Sequence, residues 1–203
     1  MHLDRSTSRG GTSERRWEDQ RIEWHGVTWS EYEALLAIRG DRAGTRITYR
    51  EGELEIMSPS VEHEAIKKML ARLIEAYADE RGTDLNSYGS WTVRSAPKAR
   101  GIEADECYVL GTHRPPVPDL AIEVAWTSGG IDKLDVYAGL GVREVWVWED
   151  ERLRIFVLGE SSYDVRERSM LLPDLDVALL ASYVGRDNHA EAVREYRRAL
   201  RQP

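Results

Sequence analysis

The sequence predicts one α/β (α+β) domain in which a mixed β-sheet is flanked by helices. The chain has 203 residues, which suits a single domain with a sizeable core, and 41% of them are hydrophobic. Candidate strands and helices follow one another along the whole chain, and no internal repeat or interior linker separates them. This order is typical of helices and a sheet packed as layers around one core.

The N-terminal segments predict a tail followed by a short helix. Residues 1–20 are polar and rich in Arg, Ser and Gly, so we expect them to be disordered and the domain to occupy residues 21–203. In the next stretch, VTWSEYEALLAI, either Thr28 or Ser30 can cap a helix whose apolar residues lie on one side.

An N-terminal β-hairpin and a long helix come next. The strands of the hairpin, residues 45–50 and 53–57, alternate in polarity on either side of a tight Glu51-Gly52 connection. The helix is predicted at residues 61–81, because apolar residues recur there at helical spacing and Gly82 ends the pattern.

The second half of the chain predicts several strands around one short helix. Gly and Pro residues separate the periodic segments and set their boundaries. In chain order we expect strands at 84–94, 103–110 and 118–126, a helix at 131–140, a hairpin of VREVWVWED with RLRIFVL, a strand in SYDVRERSM, and C-terminal helices from LLPDLDVALLASYV onward.

Composition restricts the possible functions. No apolar run approaches the ~20 residues of a membrane span, and the N-terminus lacks the apolar core of a signal peptide. Cys107 is the only cysteine, which excludes an intramolecular disulfide and a Cys-rich zinc site and favours a cytoplasmic location. The net charge of −8 opposes approach to a phosphate backbone, so nucleic-acid binding would depend on local chemistry.

The stretch PDLAIEV places two carboxylates in a predicted strand. Asp119 and Glu123 share one face, but four residues span ~13 Å, which is too far to bind one ion directly. If the GTHRPPV connection is symmetric about Arg114, Asp105 of the preceding strand lies opposite Glu123. Two acids so close repel each other unless one is protonated or a cation lies between them. A hard divalent ion, Mg²⁺, would satisfy both.

Lys133 adds a cation beside these acids. Together with Val136, Tyr137 and Leu140 it lies on the helix stripe that faces the sheet. A divalent ion between two carboxylates, with an ammonium nearby, is suited to phosphodiester hydrolysis, because the ion activates water and the lysine offsets developing charge. A structural salt bridge between Lys133 and Glu123 is the alternative.

Taken together, these segments resemble the Uma2 family of restriction-endonuclease-like proteins, within the PD-(D/E)xK nuclease superfamily. The likeness covers most of the chain, through VTWSEYEAL, YREGELEIMSPSVEHE, PDLAIEV, DKLDVYAGLGVREVWVWE and LLPDLDVALL in that order. It implies a restriction-endonuclease-like fold and Mg²⁺-dependent cleavage of nucleic acid, with Mn²⁺ as a possible substitute. By this match Asp105 and Glu123 are the metal-binding acids, assisted by the backbone carbonyl of Val124, and Lys133 is the catalytic lysine. The superfamily's usual lysine position, two residues after the glutamate, is Ala125 here.

Four further residues remain alternatives for the site. Glu103 lies two residues before Asp105, on the same face of the predicted strand, and is its rival as the first acid. Glu62 or His63, in the first turn of the long helix, could contact the metal or its waters, although a satisfied buried histidine is an equal alternative. For Asp119 the favoured interpretation is an acid that is solvated or bonded to backbone.

The sequence therefore predicts a Mg²⁺-dependent endonuclease that acts on nucleic acid, with DNA as the expected substrate. A homodimer is expected, since cutting both strands of a duplex usually takes two sites. The main alternative is a catalytically silent module that keeps the nuclease fold for binding or regulation, which the net acidity favours. A metal-dependent phosphoesterase for small substrates would use the same residues.

Overall fold

The computed structural model describes residues 19–42, 44–124 and 130–202. Residues 1–18 of the predicted tail lie outside this part, so the disorder expected there stays a prediction. The described residues form two sheets flanked by helices, which confirms the predicted fold class. The elements are β1 (Gln20–His25), α1 (Trp29–Arg39), β2 (Arg46–Arg50), β3 (Glu53–Ser58), α2 (Val61–Arg81), β4 (Leu85–Ser87), β5 (Thr92–Ser95), β6 (Arg100–Glu103), β7 (Glu106–Leu110), β8 (Leu120–Val124), α3 (Lys133–Leu140), β9 (Glu144–Glu149), β10 (Arg152–Leu158), β11 (Tyr163–Arg166), α4 (Val177–Ala181) and α5 (His189–Leu200).

The first sheet is antiparallel and has the strand order β1-β3-β2-β6-β5. The predicted hairpin of β2 and β3 lies at its centre, with Glu51 and Gly52 both at positive φ in the turn. Helix α1 covers one face, where the buried ring of Tyr32 stacks on Tyr49 with centroids 5.0 Å apart. A Cβ at Gly101 of β6 would collide with the Tyr32 ring, so the glycine allows this close approach.

The second sheet is mixed and has the strand order β11-β10-β9-β8-β7-β4, with β8 and β9 parallel. Leu120, Ile122 and Val124 of β8 point into a core shared with α2 and α5. Ala121 points the other way, into a core shared with α3. Parallel neighbours require a crossover connection, and α3 belongs to it. Because α3 also packs against strands of the first sheet, it lies between the two sheets.

Local signals set the ends of the first two helices, and the Thr28 cap and the Gly82 end are as predicted. Thr28 caps α1, where it forms a capping box with Glu31. Ser60 caps α2 by accepting a hydrogen bond from the His63 backbone N–H, and Gly82 ends this helix in the left-handed conformation. Among the described helices, none is both long and apolar enough to span a membrane.

The strand predicted at residues 103–110 is wrong as a single element. The chain leaves the first sheet after Glu103, bends at Asp105, and enters the second sheet at Glu106. The polarity pattern continues through this bend, because both halves are buried, so it gives no sign of the change of sheet. The segment at 84–94 divides in the same way, into β4 of the second sheet and β5 of the first. Residues 125 and 126 of the predicted third strand lie outside the described part.

The register between β7 and β8 agrees with the prediction. Glu106 pairs with Ile122 and Cys107 with Ala121, as the symmetric connection about Arg114 requires. Strand β1 is not predicted from the sequence, because its residues are mostly exposed at the edge of the first sheet and carry little apolar alternation. Its first residue, Gln20, lies within the predicted tail but pairs with Ser58 of β3.

Candidate active site

Glu123 lies near the carboxyl end of β8 and faces α3. It is 3% exposed, and its Oε2 atom is 2.5 Å from Nζ of Lys133. Its other oxygen, Oε1, accepts a hydrogen bond from the hydroxyl of Tyr137. Lys133 and Tyr137 are one helical turn apart, so both project from the same face of α3. The predicted contact between the lysine stripe and the Glu123 strand is therefore present.

Asp105 is fully buried in the bend between the two sheets. Its Oδ2 atom accepts a hydrogen bond of 3.0 Å from the backbone N–H of Val124, the residue next to Glu123. The side chain of Asp105 thereby extends the pairing of β7 with β8. Its Oδ1 atom has no hydrogen-bond partner among the described residues. The bend thus brings one buried acid to the backbone beside the other.

His63 connects Asp105 to the start of the domain. Its imidazole is fully buried, with Nδ1 2.9 Å from Asp19 Oδ2 and Nε2 3.0 Å from Asp105 Oδ2. The second contact is poorly aligned for a hydrogen bond, so attraction between charges dominates it. Burial lowers the pKa of His63, but contacts with Asp105 and Asp19 outweigh it and raise the pKa to about 9. The imidazole is therefore protonated at neutral pH, and each of its two N–H groups faces a carboxylate.

The surroundings move the pKa values of the two acids in opposite directions. For Asp105, burial acts to raise the pKa, but contact with His63 and the charge of Lys133 hold it well below its usual range. For Glu123, burial and the charge of Asp105 raise the pKa, and the lowering effect of Lys133 does not cancel them. Asp105 therefore ionises readily, whereas the buried negative charge on Glu123 depends on a neighbouring cation.

Lys133 stays protonated in this environment. Burial acts to lower the pKa of its ammonium, but the charges of Glu123 and Asp105 raise that pKa above its ordinary value. Because its side chain is also 19% exposed, the ammonium can reach molecules at the protein surface. Lys133 is thus a permanent cation at the edge of the acid pair.

The rival acid Glu103 belongs to a different set of ion pairs. It lies at the end of β6 and contacts Arg39 and Arg46. The Arg46 guanidinium is also 3.6 Å from Asp105 Oδ1 and 3.5 Å from Glu64. Arg46 therefore separates Glu103 from Asp105 in the charge network.

The two remaining candidates have different surroundings. Asp119 accepts a hydrogen bond of 3.0 Å from the backbone N–H of Leu110 and contacts Arg143 at 3.2 Å. This backbone bond matches the favoured structural interpretation of Asp119. Glu62 precedes His63 in α2, and its buried Oε2 atom has no hydrogen-bond partner among the described residues.

A cavity of about 400 Å³ opens beside the acid pair. Glu123, Val124 and Lys133 line it, together with Glu55, a buried residue of β3 that accepts a hydrogen bond from the Ile131 N–H. Four acidic side chains and three cationic ones line this cavity in all. The cavity has one more acidic than cationic side chain, which favours a cation, and both Lys133 and Glu123 belong to its lining.

The residues present fit a hard divalent ion in their donor chemistry. Carboxylate and carbonyl oxygens are the ligands that Mg²⁺ prefers, and Asp105, Glu123 and Val124 can supply them. The buried Oδ1 of Asp105 accepts no hydrogen bond from the described residues and lies 3.6 Å from the Arg46 guanidinium, so it is an acceptor that a bound cation would satisfy. No group of three or more His, Cys, Asp or Glu side chains in the described part forms a metal site by itself. Backbone or water oxygens would have to complete the coordination.

Three participants are missing from the site predicted from sequence. Tyr137 is predicted on the sheet-facing stripe only as a core residue, although its one-turn spacing from Lys133 could have indicated a shared role. Arg46 lies in the predicted hairpin, where a buried arginine has no local signature. Asp19 falls within the predicted tail, and its partners Ser60 and His63 are more than forty residues away.

Comparison with known protein families identifies the family of this chain. The model of the Uma2 family, described as "Putative restriction endonuclease", matches residues 29–183, which is well over half of the chain. The matched range begins at α1, extends past α4, and includes Asp105, Glu123 and Lys133. No curated protein matches the sequence.

Proposed function

Because the chain belongs to the Uma2 family, we propose that it is an endonuclease that hydrolyses phosphodiester bonds of nucleic acid, with DNA as its substrate and Mg²⁺ as its cofactor. The observation that carries this proposal is the buried pair of Asp105 and Glu123, with Lys133 bonded to the second acid at the mouth of a cavity. Acids that are costly to bury together, next to an accessible cation, suit a site that handles charged ligands.

Asp105, Glu123 and the backbone carbonyl of Val124 would hold the ion, and Mn²⁺ would substitute for Mg²⁺. When bound, the ion supplies polarisation of the phosphate and acidification of a water molecule. Asp105 presents a full negative charge over the neutral pH range, because its pKa is held low. For Glu123 a bound divalent ion would add to the charge of Lys133, and this would offset the burial that raises the pKa of this acid and favour its anionic form.

Lys133 acts as a hydrogen-bond donor and not as a base, since its raised pKa keeps the ammonium protonated. From the cavity wall it can orient the attacking water and offset the negative charge that develops on the phosphate oxygens. Tyr137 and His63 are positioning residues. The first fixes one oxygen of Glu123, and the second fixes Asp105 from α2.

The test is cleavage of plasmid DNA, oligonucleotides and RNA by purified protein with Mg²⁺ or Mn²⁺. We expect Glu123→Gln and Lys133→Met each to lose at least about 100-fold in rate, as is typical when one electrostatic contribution is removed. Matched substitutions at exposed residues, Glu160→Gln and Lys98→Met, should keep the wild-type rate. Cleavage that is equally fast in Glu123→Gln and Lys133→Met would contradict the proposal.

A second candidate function is the catalytically silent module, and one observation favours it. Both oxygens of Glu123 are already bonded to Lys133 and Tyr137, so the chain's own residues balance this buried charge without a metal. Calorimetric titration with Mg²⁺ and Mn²⁺ separates the two functions. A nuclease should bind the ion in a manner that Asp105→Asn and Glu123→Gln abolish, whereas a silent module should not.

We also propose a homodimer in a reducing cytoplasm. Two copies would supply the two sites that cutting a duplex requires. The single cysteine, Cys107, is buried and makes no disulfide, which suits a reducing compartment.

A further inference from the structure

A second cavity, of about 640 Å³, is lined in part by Arg46 of the first sheet, whose guanidinium lies 3.6 Å from Asp105. Its charged lining differs from that of the catalytic cavity, because cationic side chains outnumber acidic ones by four to three. The cations come from α1, the segment after it, β2 and α2; they are Arg39, Arg42, Arg46 and Lys67. In a chain of net charge −8, a cationic cavity next to a catalytic acid is unexpected if its only role is solubility.

Arg46 provides the main evidence that this cavity binds a ligand. Its side chain is 6% exposed, and its Nε–H donates no hydrogen bond within the described residues. The three carboxylates around its guanidinium, Glu64, Glu103 and Asp105, lie at 3.5–3.6 Å, beyond the usual hydrogen-bond range. Leaving a buried charged donor without a hydrogen bond is unfavourable, so a ligand oxygen that accepts a hydrogen bond from the Arg46 Nε–H would stabilise the folded protein.

The neighbours of Arg46 favour an anion with several oxygens. Arg39 pairs with Glu103, but its buried Nε–H has no hydrogen-bond partner among the described residues, and Lys67 is 6% exposed and contacts Glu64. Arg42 stands exposed at the rim. Guanidinium groups present planar pairs of donors that match phosphate oxygens, and an ammonium adds a point charge.

We propose that this cavity binds a backbone phosphate of the nucleic-acid strand, beside the phosphate that is cleaved. This inference rests on the proposed function for the identity of the phosphate carrier. Arg46 contacts both Asp105 and the second cavity, so it ties the bound phosphate to the catalytic acid. The second cavity therefore holds the strand in register while the first performs hydrolysis.

The experiment measures binding of a fluorescein-labelled DNA oligonucleotide by anisotropy in EDTA, where metal-dependent cleavage does not occur. Loss of one charge-assisted phosphate contact in Arg42→Ala should weaken binding about tenfold. It should also reduce the slope of log affinity against log salt concentration by about one. Arg166→Ala, at an exposed residue of β11, removes the same charge far along the second sheet and should change neither quantity.

Arg46→Lys tests the donor geometry, because it keeps the charge and removes the planar pair of donors. We expect weaker binding with an unchanged salt slope. If this variant does not fold, Arg42→Ala decides the question alone, since Arg42 is exposed. Wild-type affinity and slope in Arg42→Ala, or no oligonucleotide binding by the wild type at low salt, would overturn the proposal.

Glu123→Gln separates this proposal from the proposed activity. It should still bind the oligonucleotide in EDTA, with the same dependence on Arg42 as the wild type, because it leaves the second cavity intact. Binding that depends on Arg42, in a protein that cleaves nothing, would support the phosphate site and refute the nuclease. Cleavage together with binding that is independent of Arg42 would support the nuclease and refute the phosphate site.

Discussion

At the scale of single residues, the site is organised by buried charges that satisfy one another. Asp105 receives the Val124 N–H and the charge of His63, and Glu123 receives Lys133 and Tyr137. Each acid is therefore held in position from a helix, Asp105 by His63 of α2 and Glu123 by Lys133 and Tyr137 of α3. Removing a partner should affect the acid first and the fold second.

Tyr137→Phe tests this for Glu123. The variant keeps the packed ring and loses the hydroxyl that donates to Oε1. We expect stability to fall by about 1–3 kcal/mol, because a buried acceptor loses its donor, and nuclease activity to fall with it. Urea unfolding and cleavage rates measure the two effects.

Tyr163→Phe is the matched control for this change. Its hydroxyl donates to the Val142 carbonyl at 2.6 Å, away from the acid pair. A similar loss of stability with normal cleavage is expected. An equal loss of cleavage in both variants would mean that Tyr137 acts only through the fold.

Cys107 should be chemically inert in the folded protein. Burial raises the pKa of its thiol to about 12, and its Sγ atom donates to the Gly89 carbonyl at 3.2 Å. The thiolate is the reactive form, so a thiol reagent that absorbs on reaction should label the native protein far more slowly than the urea-unfolded protein. Rapid stoichiometric labelling without denaturant would show that this part of the sheet opens readily.

How much of this site could be predicted follows from the range of each contact. The approach of Asp105 to β8 depends on one short connection and its register, and the sequence contains both. The predicted direct pairing of Asp105 with Glu123 is absent from the β7–β8 register, because Asp105 lies in the bend before β7 and bonds to the Val124 N–H instead. The Lys133 contact depends on helical spacing alone. The bridge from Asp19 through His63 joins distant segments, and no local pattern encodes such a pairing.

At the scale of elements, the helices were predictable because their ends are local. Helix α2 spans the predicted residues and ends at Gly82 in a left-handed turn as predicted, and a Ser60 capping hydrogen bond fixes its start. The break between β6 and β7 was not predictable from the sequence, because both strands are buried and only tertiary pairing assigns them to different sheets. That break is what places Asp105 in a bend, with its side chain free to reach β8.

Gly101→Ala tests the close packing of β6 on α1. An added Cβ would collide with the Tyr32 ring, so we expect a loss of about 1–3 kcal/mol from overpacking. Gly185→Ala is the matched control, because a Cβ there meets no atom within 4 Å. The free energy of unfolding in urea measures both. Equal stability of the two variants would mean that Tyr32 moves aside without cost.

The docking of α5 on α2 should depend on pH. Hydrogen bonds from Arg201 and Arg197 lower the pKa of Glu80 from 4.5 to about 2. Because the folded-state pKa is the lower one, this contribution is present above about pH 4.5 and disappears as the pH falls toward 2. Unfolding free energies of wild type and Glu80→Gln should converge over that interval. A constant difference between them would contradict the assignment, and Glu160→Gln serves as the exposed control.

At the scale of the whole molecule, the candidate site lies where both sheets and two helices meet. The second sheet supplies Glu123, α3 supplies Lys133, α2 supplies His63, and the bend between the sheets supplies Asp105. The family resemblance predicts the fold class, but the division into two sheets with α3 between them depends on strand pairing over long distances. This arrangement puts one cavity beside Glu123 and Lys133 and a second beside Arg46, and Arg46 in turn contacts the buried Asp105.

Because these parts come together only in the folded chain, a divalent ion bound at the acid pair should stabilise the whole molecule. A ligand at about 100 times its dissociation constant adds about 2.7 kcal/mol to the free energy of unfolding. For a chain of this size that corresponds to a rise in Tm of about 5–10 °C. Thermal unfolding with and without saturating Mg²⁺ should show this rise in the wild type and in Glu160→Gln, but not in Glu123→Gln. An equal rise in Glu123→Gln would place the bound ion elsewhere on the protein.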